Sequence, residues 1–256
     1  MKTLVATILL SLLITSGCQK MNEAQQELAT EASPAADRQT ASAHNLENPF
    51  DSSGIWHNIL LDSVEVFISK TGDTSLSKIQ DCIAGVLQKS RPLDTKQLQN
   101  ATADLLGSVL QNKGDTYSFD EQSKARPFQR AIFSATKRMD NLDFNGVNSE
   151  IIAIENQILT SKVLTAKERE WLLNTSSVAR HSARRWSAYF SQGGLIFLSP
   201  TLHLTSPGRI TRVAGEVISA DAQAMMECKR LGYPEEICIA FSTVASAMAF
   251  FKEMLP

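Results

Sequence analysis

Two ionisable residues stand where an amphipathic pattern calls for apolar ones. Stepping about 100° per residue from Trp56 along a helix, the residues Leu60, Val64, Phe67, His57, Ile68 and Leu61 fill one continuous arc, with His57 inside it. Far downstream, Asp221 projects between two apolar sets. Val213, Val217, Ala220, Ala224 and Cys228 lie on one side; Ala214, Ile218, Ala222, Met225 and Met226 lie on the other. The polar stripe of that helix, Glu216, Gln223, Glu227 and Arg230, is on the opposite face. A buried, unpaired carboxylate takes up a proton rather than lose its hydration. Asp221 is therefore expected to be protonated, paired, or held by several donors. His57 is the favoured partner, with Arg184 and Ser182 as alternatives. Such a pair, with Asn58 beside it, has the makings of a general base or a ligand site. The plainer reading, which we favour, is a buried polar pair whose histidine is neutral and satisfied by hydrogen bonds. No residue is assigned a catalytic role.

His57 belongs to the least ordinary stretch of the chain, Asn48-Pro49-Phe50-Asp51-Ser52-Ser53-Gly54-Ile55-Trp56-His57-Asn58-Ile59-Leu60-Leu61. Pro49 keeps Asn48 out of the helical region. Asp51, Ser52 or Ser53 can accept from a first-turn amide and start a helix. Asn48 and Asp51 join His57, Asn58 and Asp221 as candidates for buried polar or ligand-contacting roles. Beyond a narrow polar stripe of Asn58, Asp62, Glu65 and Ser69, the residues Ile55, Ile59 and Val66 make a second apolar patch. Two apolar faces predict a helix packed on two sides, and so a central one.

This stretch resembles the Asn-Pro-Tyr-Asp…Gly…His-Asn…Leu signature of an uncharacterised family of Gram-negative secreted proteins and lipoproteins. Asn48, Pro49, Asp51, Gly54, His57, Asn58 and Leu61 match it, and Phe50 replaces the tyrosine. Looser similarity continues at Ser182 to Trp186 and at Ala220-Asp221-Ala222. The resemblance implies an exported location and an all-helical shape, and no reaction.

The N-terminus points the same way. Lys2 gives a positive start, and Leu4 to Ile14 is an apolar run too short to span a bilayer as a mature helix. Thr15-Ser16-Gly17-Cys18 resembles a bacterial lipobox, departing from it in having Thr15 where leucine is usual. Residues 1–18 are thus expected to be a lipoprotein signal, with an ordinary secretory signal as the alternative. Cys18 would become the acylated first residue, and two lipid signals give stable anchoring where one chain alone binds marginally. Residues 19–47, rich in Gln, Ala, Glu, Ser and Thr, cannot bury enough surface to offset chain entropy. They are expected to form a flexible tether reaching roughly 30 Å by coil scaling. His44 falls in it and is given no role.

Residues 48–256 are long enough for one core, and helix signals repeat through them. Ser75, Asp94 and Asn148 are expected to cap helices, and Pro127 to stand near the start of another. Thr165-Ala166-Lys167-Glu168 is a capping box opening a helix to about Phe190. On that helix Trp171, Leu172, Thr175, Val178, Ala179, Ser182, Trp186, Tyr189 and Phe190 share one face, and Arg180, His181, Arg184 and Arg185 the other, read as a solvated basic face. Leu195 to Leu198 is a short apolar run in a loop or lone strand. Ser206-Pro207 opens a helix to about Arg230, and Pro234 opens a last, apolar one. The expected fold is all-α: a single domain of about 7–8 helices around a central N-terminal helix. Cys228 and Cys238 bracket the turn at Gly232-Tyr233-Pro234. If the two helices fold back, these cysteines come within bonding distance, and export favours the bond.

No phosphate loop, His-Glu-x-x-His, Gly-x-Ser-x-Gly, Cys-x-x-Cys or calcium loop is present. The four histidines are spread along the chain, so no clustered metal site is expected, and no cofactor. Removing Lys2 with the signal changes 25 basic and 27 acidic residues to 24 and 27, a net charge of −3, which selects no particular partner. Nucleic acid is not expected, since no aromatic residues interleave with the basic cluster. The expectation is a lipoprotein of the cell envelope, held to the outer membrane on its periplasmic or outer face. It would be a non-catalytic module that binds a protein, glycan or lipid partner. An enzyme with a site at His57, Asn58 and Asp221, and a purely structural envelope protein, are the alternatives.

Overall fold

Helix ends in this chain follow local chemistry. In the structure, a computed structural model, residues 42–90, 93–111, 122–139, 143–191 and 207–254 are described. The expected signal with Cys18, most of the tether and the apolar run Leu195–Leu198 lie outside them. Among the described residues are eight helices and no strand, the all-α domain that the sequence predicts. They are α1 (Asp51–Thr71), α2 (Leu76–Leu87), α3 (Thr95–Gln111), α4 (Arg126–Lys137), α5 (Phe144–Thr160), α6 (Ala166–Ser191), α7 (Pro207–Arg230) and α8 (Glu235–Met254).

The capping box before α6 is closed in both directions. Glu168 Oε2 accepts from Thr165 N at 2.9 Å, and Thr165 Oγ1 accepts from Glu168 N at 3.2 Å. Asp94 Oδ1 accepts from Lys96 N and Gln97 N at the start of α3. Pro127 sits in the first turn of α4, where its missing N–H costs nothing. Gly72 leaves α1 with φ 69°, a left-handed conformation that glycine adopts without steric strain.

Three expected caps differ. Ser75 stands at the N-cap of α2, but its side chain makes no cap hydrogen bond. Asp143, not Asn148, caps α5, accepting from Gly146 N at 3.1 Å. The helix extends one turn earlier because Phe144 and Val147 enter the core. At α1, no side chain of Asp51, Ser52 or Ser53 caps the first turn. Asn48 Oδ1 instead accepts from Phe50 N at 2.9 Å, and the Asp51 and Ser53 side chains are directed to other helices.

Helices α6, α7 and α8 share the most extensive contacts. α7 and α8 fold back on one another and are joined by a disulfide between Cys228 and Cys238, whose Cα atoms are 5.3 Å apart. Cys82 points its thiol at the Ser63 carbonyl, 3.7 Å away. α6 packs against α1, α4, α5 and α7; α8 packs against α1, α2, α3 and α7. At one end, Trp186 stacks on Phe250 with ring centroids 5.0 Å apart, and Tyr189 and Phe190 close around them. α8 is buried on all sides from Cys238 to Ala247, and among the described residues no helix is long and apolar enough to cross a membrane.

Three expectations from periodicity are corrected here. The main arc of α1 is buried at Leu60, Leu61, Val64 and Ile68, but its second patch is only partly covered, with Ile59 38% exposed. The polar stripe of α7 is largely enclosed, since Gln223 and Glu227 are buried. On α6 the supposed solvated basic face divides. Arg184 is exposed, whereas Arg180 is fully buried and His181 nearly so. Arg185 lies between, bound to Asp62 and Glu65 of α1. Helices on several sides of α6 leave little room for a solvent face in its middle.

The folded part also begins earlier than residue 48. Ala43 and Asn45 are buried, so residues 42–47 belong to the packed domain rather than to the tether.

Candidate functional site

The polar stretch at the start of α1 lies along the middle of α6, and nearly every polar side chain in it meets a partner there. The approach is close because residue 54 has no side chain. A Cβ added to Gly54 would stand 2.5 Å from both the His181 ring and the Ser177 carbonyl oxygen. Gly54 N donates to Ser177 Oγ at 3.1 Å, and Ser177 Oγ donates to the Asp51 carbonyl at 2.9 Å. Ser53 Oγ lies 2.7 Å from Asn174 Oδ1 and 3.1 Å from Glu235 Oε1.

Asp51 is the hub. Its Oδ1 accepts from Arg180 Nη2 at 2.6 Å and lies 3.2 Å from His181 Nε2; its Oδ2 lies 3.1 Å from His44 Nδ1. The rings of His44 and His181 meet edge to face with centroids 5.2 Å apart. The ligating atoms of His44, Asp51 and His181 all fall within 4.8 Å of one another. His44 is half exposed, whereas Asp51 and His181 are largely enclosed. Burial alone would raise the Asp51 pKa, but hydrogen bonds from His181 and Arg180, with the charge of the guanidinium, hold it well below the usual carboxylate range. Burial is the main reason that the His181 pKa is lowered, although Asp51 opposes the shift.

Behind Asp51 lies Glu155, fully buried on α5. Its Oε1 accepts from Asn48 Nδ2 at 2.7 Å, Ser176 Oγ at 2.9 Å and Arg180 Nη2 at 3.1 Å. Its Oε2 accepts from Asn45 Nδ2 at 2.6 Å. Two carboxyl groups from α1 and α5 thus converge on one guanidinium from α6. Arg180 Nε and Nη1 have no hydrogen-bond partner among the described residues.

Further along α1, the His57 and Asp221 side chains approach one another. His57 and Asp221 are both fully buried, with Nε2 and Oδ2 3.6 Å apart. That is longer than a hydrogen bond. His57 Nε2 and Asp221 Oδ1 are buried without a hydrogen-bond partner among the described residues, so the histidine is satisfied at Nδ1 only and not at both nitrogens. The direct donor to Asp221 Oδ2 is the Ser182 hydroxyl, one of the alternatives weighed from sequence; Arg184 is exposed and not involved. Asn58 Nδ2 donates to the His181 carbonyl at 2.9 Å, which turns its Oδ1 toward His57 Nδ1, 3.2 Å away. Nδ1 therefore carries the proton and donates. His57, Asn58 and Asp221 do come together, as the enzyme alternative requires. However, neither His57 nor Asp221 exposes any surface to a substrate.

Of the residues singled out from sequence, Asn48, Asp51, His57 and Asp221 are buried, and Asn58 is half-buried. Sequence reading missed Glu155, Arg180, His181 and His44. Glu155 had a signal: it lies four residues after Ile151 and three before Ile158, on the apolar face of α5. So did the centre of α6, where Asn174-Thr175-Ser176-Ser177-Val178-Ala179 places small residues on every side of the helix. His44 had none, because only the fold carries it to a residue 137 positions away. The histidines that look scattered along the chain are in space partly gathered.

No protein-family model, no curated protein and no solved structure matches this chain.

Proposed function

We propose that this chain is an exported bacterial lipoprotein. Cys18 carries the lipid, the remaining residues before the domain form a tether, and the helical domain acts without catalysis as a binding module of the cell envelope. In this reading it is held at the outer membrane, and its partner is an envelope protein, glycan or lipid. The lipobox-like Thr15-Ser16-Gly17-Cys18 after a short apolar run supports export and anchoring. The Cys228–Cys238 disulfide is in keeping with an oxidising compartment. The observation that carries the non-catalytic reading is the enclosure of the His57–Asp221 pair. The pair lies enclosed at the junction of α1, α6 and α7, where the Ser182 hydroxyl donates to Asp221 Oδ2 and neither His57 nor Asp221 has surface left for a substrate.

The test is mass spectrometry of the mature N-terminus, combined with crosslinking and pull-down from intact cells. The expected result is a Cys18 carrying a diacylglyceryl thioether and an amide-linked acyl chain, membrane partition, and release or arrested processing in Cys18→Ser. An unmodified mature N-terminus elsewhere in residues 15–25 would overturn the anchor. Turnover of a substrate by the purified chain, lost in His57→Gln, would overturn the non-catalytic reading.

A further inference from the structure

Two imidazoles and one carboxylate converge at the N-terminal edge of α1. We propose that His44, Asp51 and His181 bind a divalent first-row transition ion of zinc-like preference. The donor set is one that Zn²⁺ takes: nitrogen ligands at about 2.0–2.1 Å and carboxylate oxygen at about 2.0–2.2 Å. Tetrahedral bonds of that length place neighbouring ligand atoms about 3.3–3.4 Å apart. The two imidazoles face different oxygens of Asp51, Oδ2 standing 3.1 Å from His44 Nδ1 and Oδ1 3.2 Å from His181 Nε2. With one ligand atom taken from each residue, all three lie within 4.8 Å of one another, so movements of at most about 1.5 Å bring them to the spacing of a tetrahedral site. Both imidazole protons that now face Asp51 move to the other ring nitrogen when the metal takes their place.

Three further features separate this arrangement from a simple histidine–aspartate hydrogen bond. First, the Asp51 charge is already answered by Arg180 at 2.6 Å, so pairing alone calls for neither imidazole. Second, the ligands are supported from behind, as ligands of a metal site are. Arg180 orients the carboxylate, while Asn58 holds the His181 backbone through its carbonyl. Third, His44 lies on a segment fixed on both sides by buried Ala43 and Asn45, yet its own side chain is 49% exposed. Two enclosed ligands and one exposed ligand leave an entry path and an open fourth position facing solvent. Two carboxyl groups against one guanidinium in the enclosed part also favour a cation there. Nitrogen donors select a transition ion over Mg²⁺ or Ca²⁺, which prefer all-oxygen sites. Bound metal would fasten residues 42–47, the entry into the domain, onto the junction of α1 and α6.

The experiment uses the untagged full chain, stripped with chelator and then titrated with Zn²⁺ by calorimetry and followed by thermal unfolding, with Mg²⁺ as control. One Zn²⁺ per chain, a melting temperature that rises with free Zn²⁺, and no response to Mg²⁺ are expected. His44→Ala removes a half-exposed ligand without disturbing the core, and should weaken Zn²⁺ binding by roughly a hundredfold or more while the metal-free melting temperature changes little. His181→Gln serves as the second ligand variant. Absence of Zn²⁺ binding by the parent, or equal affinity in His44→Ala, would overturn the site.

Discussion

Gly54 and His181 touch so closely that the smallest side chain at position 54 would collide with the imidazole, 2.5 Å from its Cδ2. This contact sets the separation of α1 and α6, and so lets Asp51 reach Arg180 and Asn58 reach the His181 carbonyl.

Gly54→Ala is therefore expected to destabilise the protein. Alanine in a helix gains up to about 1 kcal/mol over glycine. The new methyl, however, also meets the Ser177 carbonyl at 2.5 Å, and backbone cannot swing aside as a side chain can. Overpacking of this kind costs about 1–3 kcal/mol, which against the helix gain leaves a net loss of up to about 2 kcal/mol. Urea unfolding measures it, and an unchanged midpoint would show that the helices separate freely.

Arg180 stands between two carboxyl groups, and Arg180→Met would leave both behind. Removing one partner of a buried ionic network costs about 3–5 kcal/mol. The same variant with Glu155→Gln should recover part of the loss, because one uncompensated charge disappears. If Arg180→Met unfolds at the same denaturant concentration as the parent, the network contributes nothing to stability.

Ser182 and Asp221 should be coupled. Ser182→Ala takes away the hydroxyl that serves Asp221 Oδ2, and a buried acceptor without its donor costs about 1–3 kcal/mol. In a double-mutant cycle with Asp221→Asn, residues in such contact show coupling of about 0.5–3 kcal/mol. Additive effects would mean that Asp221 draws its support from elsewhere, and His57 stands 3.6 Å from it.

Acid should weaken the fold in two stages. His181 has a folded pKa below its ordinary value of 6.5. As pH falls through that value, the unfolded chain binds a proton that the folded chain does not, and stability declines. Asp51 is also held below its ordinary value of 3.8. Its contribution is fully present above that pH and is lost as pH falls further. Unfolding free energy measured in chelator should thus be flat from about pH 7 to 8 and fall below about pH 6.5. It should fall again below about pH 4. His181→Gln should remove the first decline and leave the second, and an unchanged profile in that variant would assign the first stage to another group.

Local sequence determined several of the helix ends, though not the starts of α1 and α5. The Thr165–Glu168 box, Asp94, Pro127 and the turn at Gly232 each act within a few residues, and hydrogen bonding of that range does not depend on the rest of the molecule. Periodicity also determined that Asp221 is buried and that Cys228 and Cys238 are neighbours, since both follow from a single helix or a single hairpin. Tertiary structure alone decided which side of α6 is outside. A charged residue on a helix reads as solvated until helices on several sides enclose it, and Arg180 is enclosed because Asp51 and Glu155 arrive from α1 and α5 to match it. It also decided the meeting of His44 with His181. Their separation along the chain carries no trace of their distance in space, which is set by Gly54 letting α1 settle on α6 and by Asn45 reaching across to Glu155.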